Sequence, residues 1–307
     1  MAFIETFQLQ PRSPLNFDLS CQVFIDGSPL VRTYMRDMFS QVLQIRGHLV
    51  MVQVIECGTP EAPCLRVTLK SNLALTTQIK QAAQDMLIYI FNLNFDLCAF
   101  YEEVQTDPIM HKITQQLWGF RFPTTPTVFE GLVDAIVEQQ ISIKVARTIE
   151  ERLAKRLGSQ LKINDVIYSA FPTAQQINDA SLSDVQGCGL SQRKAEYICN
   201  VANYVVEGKL DLEALKSNSD SAGIVGMLDE LRGVGVWTAE LTLLRGMQRW
   251  DVLPADDFGI KRVISTYYCN GGPLSAVQAR EVARVWGRWQ GLAAFYLILA
   301  ESRGIRV

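Results

Sequence analysis

A chain of 307 residues, 48% of them hydrophobic and 20% charged, can bury a sizeable core and has room for two domains or three. A formal charge of −3 argues against a protein that coats nucleic acid through bulk positive charge, although a phosphate site built from backbone amides needs no lysine. The opening MAFIETFQLQ has no basic segment followed by an apolar run, and nowhere do eighteen apolar residues run together, so an intracellular protein with no membrane partner is expected.

Up to about Asn94 the pattern is mixed. Val50, Val52 and Val54 alternate, as do Leu65, Val67 and Leu69, and Gly58-Thr59-Pro60 lies between the two runs, which predicts an antiparallel hairpin. Helical spacing flanks it, over Tyr34 to Met38 and over Thr76 to Phe91, so residues 1–100 read as a small α+β domain with an antiparallel sheet. After Asp107-Pro108 the strand signals vanish, and residues 101–307 read as an all-α region of two lobes.

In that region Thr127-Val-Phe-Glu130 predicts a capping box behind Pro126, opening a helix that buries Leu132, Val133, Ile136 and Val137. Gln139 and Gln140 interrupt the pattern, Ser142 can cap the next helix, Val145, Ile149, Leu153 and Leu157 form its buried face, and Gly158 ends it. Further on, Arg193 and Lys194 open an amphipathic helix, either to meet a phosphate or as solvated charges at a helix start.

The stretch LRGVGVWTAELTLLRGMQRWDVLPADDFGIK, Leu231 to Lys261, carries the chemistry. Gly233-Val234-Gly235 joins two helical patterns, and each glycine there can supply a backbone conformation that a side chain would penalise. The unpaired amides around Gly235, Trp237 and Thr238 then make an anion site at the start of the second helix. Pro254-Ala-Asp256-Asp257 precedes another apolar-periodic run, so both acids are also candidate helix caps.

Taken together, LxGVGxWTA, the LRG run and DVLPADDxGIKR resemble the helix-hairpin-helix (HhH-GPD) DNA glycosylase superfamily, nearest its AlkA-type 3-methyladenine DNA glycosylase II branch. The resemblance is good from Pro126 onward and weak over the first hundred residues. It implies an enzyme of base excision repair that flips an alkylated purine out of double-stranded DNA and hydrolyses its N-glycosidic bond. It places the catalytic carboxylate at Asp257, with Asp256 the second choice, and puts Gln140 where the family fills the gap left by the extruded base. Gly233, Val234, Gly235, Trp237, Thr238, Gln140 and Lys194 are then the expected DNA contacts. Trp237, Leu241 and Ile298 are the expected base pocket, the last two standing where aromatic residues are usual in the family.

Trp237 also occupies the position at which bifunctional relatives carry the attacking lysine, and an indole cannot form a Schiff base. The resemblance therefore implies a monofunctional, monomeric enzyme that leaves an abasic site, needs no organic cofactor or catalytic metal, and allows a monovalent cation on the hairpin carbonyls. Seven scattered cysteines without a CxxC agree, since they suggest neither a zinc site nor a disulfide framework. The alternatives are a bifunctional 8-oxoguanine glycosylase and lyase of the same fold, and a DNA-binding module in which the aspartates only cap a helix.

Overall fold

The computed structural model describes residues 2–307. The alternating runs of the first part form a five-stranded antiparallel sheet of β1 (Phe3–Leu9), β2 (Arg32–Met35), β3 (Met38–Ile45), β4 (His48–Glu56) and β5 (Leu65–Ser71), in the order β1-β5-β4-β3-β2. Val52 faces Leu69 and Val54 faces Val67 across the β4–β5 pair, as the alternation requires. Helix α1 (Phe17–Cys21) and helix α2 (Thr77–Ile90) cover the inner face, α2 through Ile79, Ala83, Leu87 and Ile90. The helix expected over Tyr34 to Met38 does not form. Arg36 and Asp37 both take positive φ in a two-residue turn that pairs Met35 with Met38, so the apparent helical spacing straddles a hairpin.

From α3 (Leu97–Val104) and α4 (Pro108–Gln116) onward one continuous core runs through the helices α5 (Val128–Glu138), α6 (Ile143–Leu157), α7 (Ala174–Asp179), α8 (Leu182–Gln186), α9 (Gln192–Val206), α10 (Ser221–Asp229), α11 (Val236–Met247), α12 (Phe258–Tyr268), α13 (Ala276–Ala283) and α14 (Gln290–Ser302). One element departs from the helical reading: a short hairpin, β6 (Gln160–Ile163) and β7 (Val166–Ser169), lies between α6 and α7. Its Leu161 and Ile163 pack on Val42 and Met51, the outward face of the five-stranded sheet, so this small ladder is specified by a surface far away in sequence. Val145, expected in the core, is 47% exposed, while Ile149 and Leu153 are buried, because the helix turns its inner face one position later at Ala146.

Two polar joints hold the sheet against the helices. Arg121 is 1% exposed and directs its guanidinium to the carbonyls of Arg12, Pro14, Asn92 and Phe95 at 2.5–3.1 Å. Burial pulls its pKa down to about 10, which leaves it charged at neutral pH. The second joint lines one face of α5, where Glu130, Asp134 and Glu138 follow at helical spacing. Glu130 accepts from Arg32 of β2 at 2.9 Å, and Glu138 pairs with Arg245 of α11. The capping box is therefore only half made: Thr127 accepts from the Glu130 amide at 3.1 Å, but the Glu130 carboxylate has gone to Arg32.

Burial, and then the neighbouring Glu150 and Glu130 charges, push Asp134 well above the usual carboxylate range. Burial followed by repulsion from Glu138 raises Glu150 of α6 to about 7. A carboxyl that titrates near 4.3 when unfolded is thus held protonated more easily in the fold. Its contribution is complete below the unfolded pKa and is lost as pH rises through about 7. Glu150→Gln, which keeps the shape and never ionises, is expected to flatten a decline in melting temperature of the wild type between about pH 4 and 7. Parallel curves for the two proteins would contradict this assignment.

Candidate active site

Helix α10 ends at Asp229, and the chain reverses through Gly233 and Gly235 into α11. Gly233 has φ +90°, and a Cβ there would overlap the Tyr197 ring, so both conformation and space demand glycine. Gly235 differs from the expectation. Its φ of −93° and ψ of 175° are extended backbone open to any residue, and nothing lies within 4 Å of where its Cβ would be. What it provides is bare backbone: it caps α11 with no side chain, it is exposed, and the first amides of the helix stand beside it. Val234, by contrast, is 2% exposed and anchors the hairpin in the core. Thr238 is also buried, where its hydroxyl accepts from Gln139 rather than facing a ligand.

The paired acids separate in role. Asp256 is exposed, whereas Asp257 is half-buried and caps α12, with Oδ1 accepting from the Ile260 amide at 3.0 Å. The other oxygen, Oδ2, accepts from the indole N–H of Trp237 at 3.1 Å. This ties the acid to the first turn of α11, directly behind the hairpin. Arg280 of α13 supports the preceding loop, donating to the Leu253 carbonyl at 2.9 Å while paired with Glu240 of α11 at 2.9 Å. At the far end of α12, Tyr268 donates to the Asp107 carboxylate at 2.6 Å.

Gln140 lies at the end of α5, exposed and with φ +54°. Its neighbour Gln139 turns inward and donates from Nε2 to the Gly233 carbonyl at 2.9 Å and to the Thr238 hydroxyl at 3.0 Å. The turn and the hairpin therefore share one face. Lys194 does not reach outward as a phosphate contact would. Its ammonium donates to the carbonyls of Val137 and Gln139 at 2.8 and 2.5 Å, because the end of α5 presents unsatisfied oxygens within its reach.

Of the expected base pocket, Trp237 is half-buried, Leu241 is 3% exposed and Ile298 is half-buried on α14. Two open cavities, of about 300 and 90 Å³, lie elsewhere, beside Tyr89 and Gln248 and beside Lys70 and Tyr168. Other aromatic groups stand out instead. Phe258, next to Asp257, is 76% exposed. Phe122 and Phe295, the latter one turn before Ile298, stack face to face with centroids 3.6 Å apart and planes 2° apart. Phe258 is the aromatic that follows the acid in the sequence, whereas nothing in the sequence links Phe122 to Phe295.

Chemically, the arrangement sets one carboxylate, fixed by a helix and an indole, beside a row of free amides. Such a site can stabilise positive charge developing next to an anionic backbone, and can orient a water molecule. Among the described residues no group of three or more His, Cys, Asp or Glu side chains is placed to hold a metal ion.

Residues 133–288 match the model of the HhH-GPD superfamily base excision DNA repair proteins. The chain is 29% identical over 208 residues to a DNA-3-methyladenine glycosylase of Bacillus subtilis, covering 67% of this chain and 68% of that protein. The matches to the corresponding proteins of Saccharomyces cerevisiae and Escherichia coli span 52% and 61% of their lengths. A 3-methyladenine DNA-glycosylase from Archaeoglobus fulgidus has the same fold over nearly its whole length, with a TM-score of 0.83, 27% identity and coverage of 96% and 98%. An 8-oxoguanine glycosylase/lyase from Clostridium acetobutylicum shares the fold at a TM-score of 0.74 and 21% identity, over 99% of both chains.

The two hairpin glycines are expected to respond differently to a methyl group. Gly233→Ala should lose about 2 kcal/mol or more of stability through φ strain and the collision with Tyr197. Gly235→Ala should melt within about 2 °C of the wild type, since it costs neither conformation nor space. Thermal denaturation of the two variants checks the contrast.

Proposed function

Because the chain belongs to the HhH-GPD superfamily of base excision DNA repair proteins, we propose that Asp257 and the Gly233–Gly235 hairpin are the working parts of a monofunctional DNA glycosylase that excises alkylated purines. The observation that carries this reading is the double restraint on Asp257, whose carboxylate is held between the α12 amides and the Trp237 indole, directly behind the hairpin. The relatives named for 3-methyladenine excision support the substrate class. The relative named for 8-oxoguanine shares only the fold.

The duplex phosphate lies against the amides at the start of α11, while Gln140 takes the place of a nucleotide turned out of the stack. As the C1′–N bond lengthens, positive charge grows on the sugar, and the Asp257 carboxylate stabilises it. The base departs with the electron pair of the broken bond, water bonds to C1′, and the water's proton passes to the Asp257 carboxylate. An alkylated purine that already carries positive charge needs little acid catalysis to leave. The indole holds the carboxylate in place and offers its face to an electron-poor ring.

The remaining parts of the reading follow from the same site. Residues 1–100 form a supporting α+β domain and residues 101–307 the helical region, a division supported by two separate cores, although α3 packs with the second. The enzyme works inside the cell as a monomer on double-stranded DNA. A monovalent cation at the hairpin is compatible with its carbonyls: Gly233 O already accepts from Gln139, while Arg232 O and Val234 O accept no backbone hydrogen bond among the described residues.

The test is incubation with duplexes carrying 3-methyladenine, 7-methylguanine, hypoxanthine or 8-oxoguanine, followed by alkali. Release of the methylated purines with nicking only after alkali is expected. A borohydride-trapped protein–DNA adduct formed as fast as base release would instead establish a lyase. Within the acid pair, Asp257→Asn should lower excision by about 10²- to 10³-fold or more while DNA binding persists, and Asp256→Asn should cost far less. The reverse ranking in single-turnover assays would move the catalytic role to Asp256.

A further inference from the structure

The turn that carries Gln140 is held from three sides, through the three residues just before it. Glu138 pairs with Arg245 of α11. Gln139 donates to the hairpin at Gly233 O and to Thr238 Oγ1. Lys194, from the first turn of α9, donates to Val137 O and Gln139 O. Immediately afterwards Gln140 enters the left-handed region at φ +54°, and Ser142 begins α6 with its hydroxyl accepting from the Val145 amide at 3.4 Å.

A left-handed non-glycine residue costs free energy and persists only where its surroundings fix it. Left to itself, the end of α5 would fray, since its last carbonyls have no partner within the helix. Those oxygens also carry the negative end of the helix dipole, and an ammonium is the side chain best suited to meet them. Arg193, the neighbouring cation, is exposed. Lys194 turns inward onto the turn.

We propose that Lys194 is a positioning residue for base extrusion: it clamps the α5 terminus so that Gln140 is already in the conformation that enters the duplex. The free protein thus holds the inserting turn in shape before it meets DNA, and the ordering cost is met on folding rather than on each binding event. Gln139 fixes the same turn to the hairpin, so the phosphate grip and the inserted side chain are set in one register. The proposal rests on the reading of Gln140 as the residue that fills the vacated place in the stack.

The experiment compares wild type, Gln140→Ala, Lys194→Met, Lys194→Arg and the Gln140→Ala/Lys194→Met double variant. The probe is a duplex with 2-aminopurine beside a 3-methyladenine analogue that resists hydrolysis, in which fluorescence rises when the lesion is extruded; single-turnover excision from a matched cleavable duplex is read alongside. Lys194→Met is expected to lower the extrusion signal and the excision rate together, by about tenfold, the order expected for loss of a charged hydrogen bond. Lys194→Arg, which keeps charge and donors, should recover most of both. In the Gln140→Ala background, Lys194→Met should add little, because both changes remove the same device.

Thermal midpoints separate this from a fold defect: a merely structural lysine would lower the midpoint and leave extrusion by the folded fraction normal. Should Lys194→Met fail to fold, Lys194→Gln is measured in its place. Normal extrusion by the folded lysine variants beside a defective Gln140→Ala overturns the role of Lys194 alone, as do independent, multiplying effects of the two substitutions. Normal extrusion by Gln140→Ala overturns the reading of Gln140 and this inference with it. Absence of excision by the wild type overturns the glycosylase reading itself.

Discussion

Helices α5 and α11 cross so closely that glycine meets glycine: a Cβ on Gly131 would lie 3.2 Å from the Gly246 Cα, and one on Gly246 would lie 3.1 Å from the Val128 backbone. The turn and the hairpin of the candidate site each lie at an end of one of these two helices. The far end of α5 presents Gln139 and Gln140, and the near end of α11 presents the hairpin, so a short side chain suffices to join them. The same approach forces the charged face of α5 against Arg245, and it brings the start of α5 to the end of α11, where the Thr125 amide donates to the Arg245 carbonyl at 2.8 Å. Larger residues at either glycine would part the helices and, with them, the turn from the hairpin.

The N-terminal part also meets the helical region through polar contacts. Arg32 reaches from β2 to Glu130, Arg121 gathers carbonyls from two segments of the N-terminal part, and Tyr89 of α2 donates to the Gly246 carbonyl at 2.5 Å. Hydrogen-bonded charges of this kind fix orientation more than they add stability, since burying them costs most of what the pairing returns. None of the candidate site residues lies on the five-stranded sheet, and Arg32 and Tyr89 tie the N-terminal part to α5 and α11.

What was legible in the sequence was whatever depends on local pattern. The β4 and β5 alternation, the Ser142 cap and the Asp257 cap can each be read within a few residues, and each is present. The DNA glycosylase family was legible too, because its motif joins a hairpin, a tryptophan and an acid at fixed spacing. What failed to show was decided by partners far along the chain. The β6–β7 hairpin exists because the outer face of the sheet needs covering; Glu130 abandons its cap because Arg32 stands opposite; Lys194 turns inward because α5 ends beneath it. Tyr34 to Met38 misled for the opposite reason, since a two-residue turn reproduced helical spacing by accident.

Asp257 holds two offices at once, and this bears on how the protein can change over generations. An acid kept solely for chemistry usually sits at some expense to the fold, so that losing it leaves a sturdier, idle protein from which new activities arise. Here one carboxylate oxygen starts α12 and the other holds the indole of α11. Replacement by a residue with no side-chain acceptor would forfeit a helix start and the seating of Trp237 together. On the role proposed for Asp257, selection on folding and selection on catalysis would act on the same carboxylate.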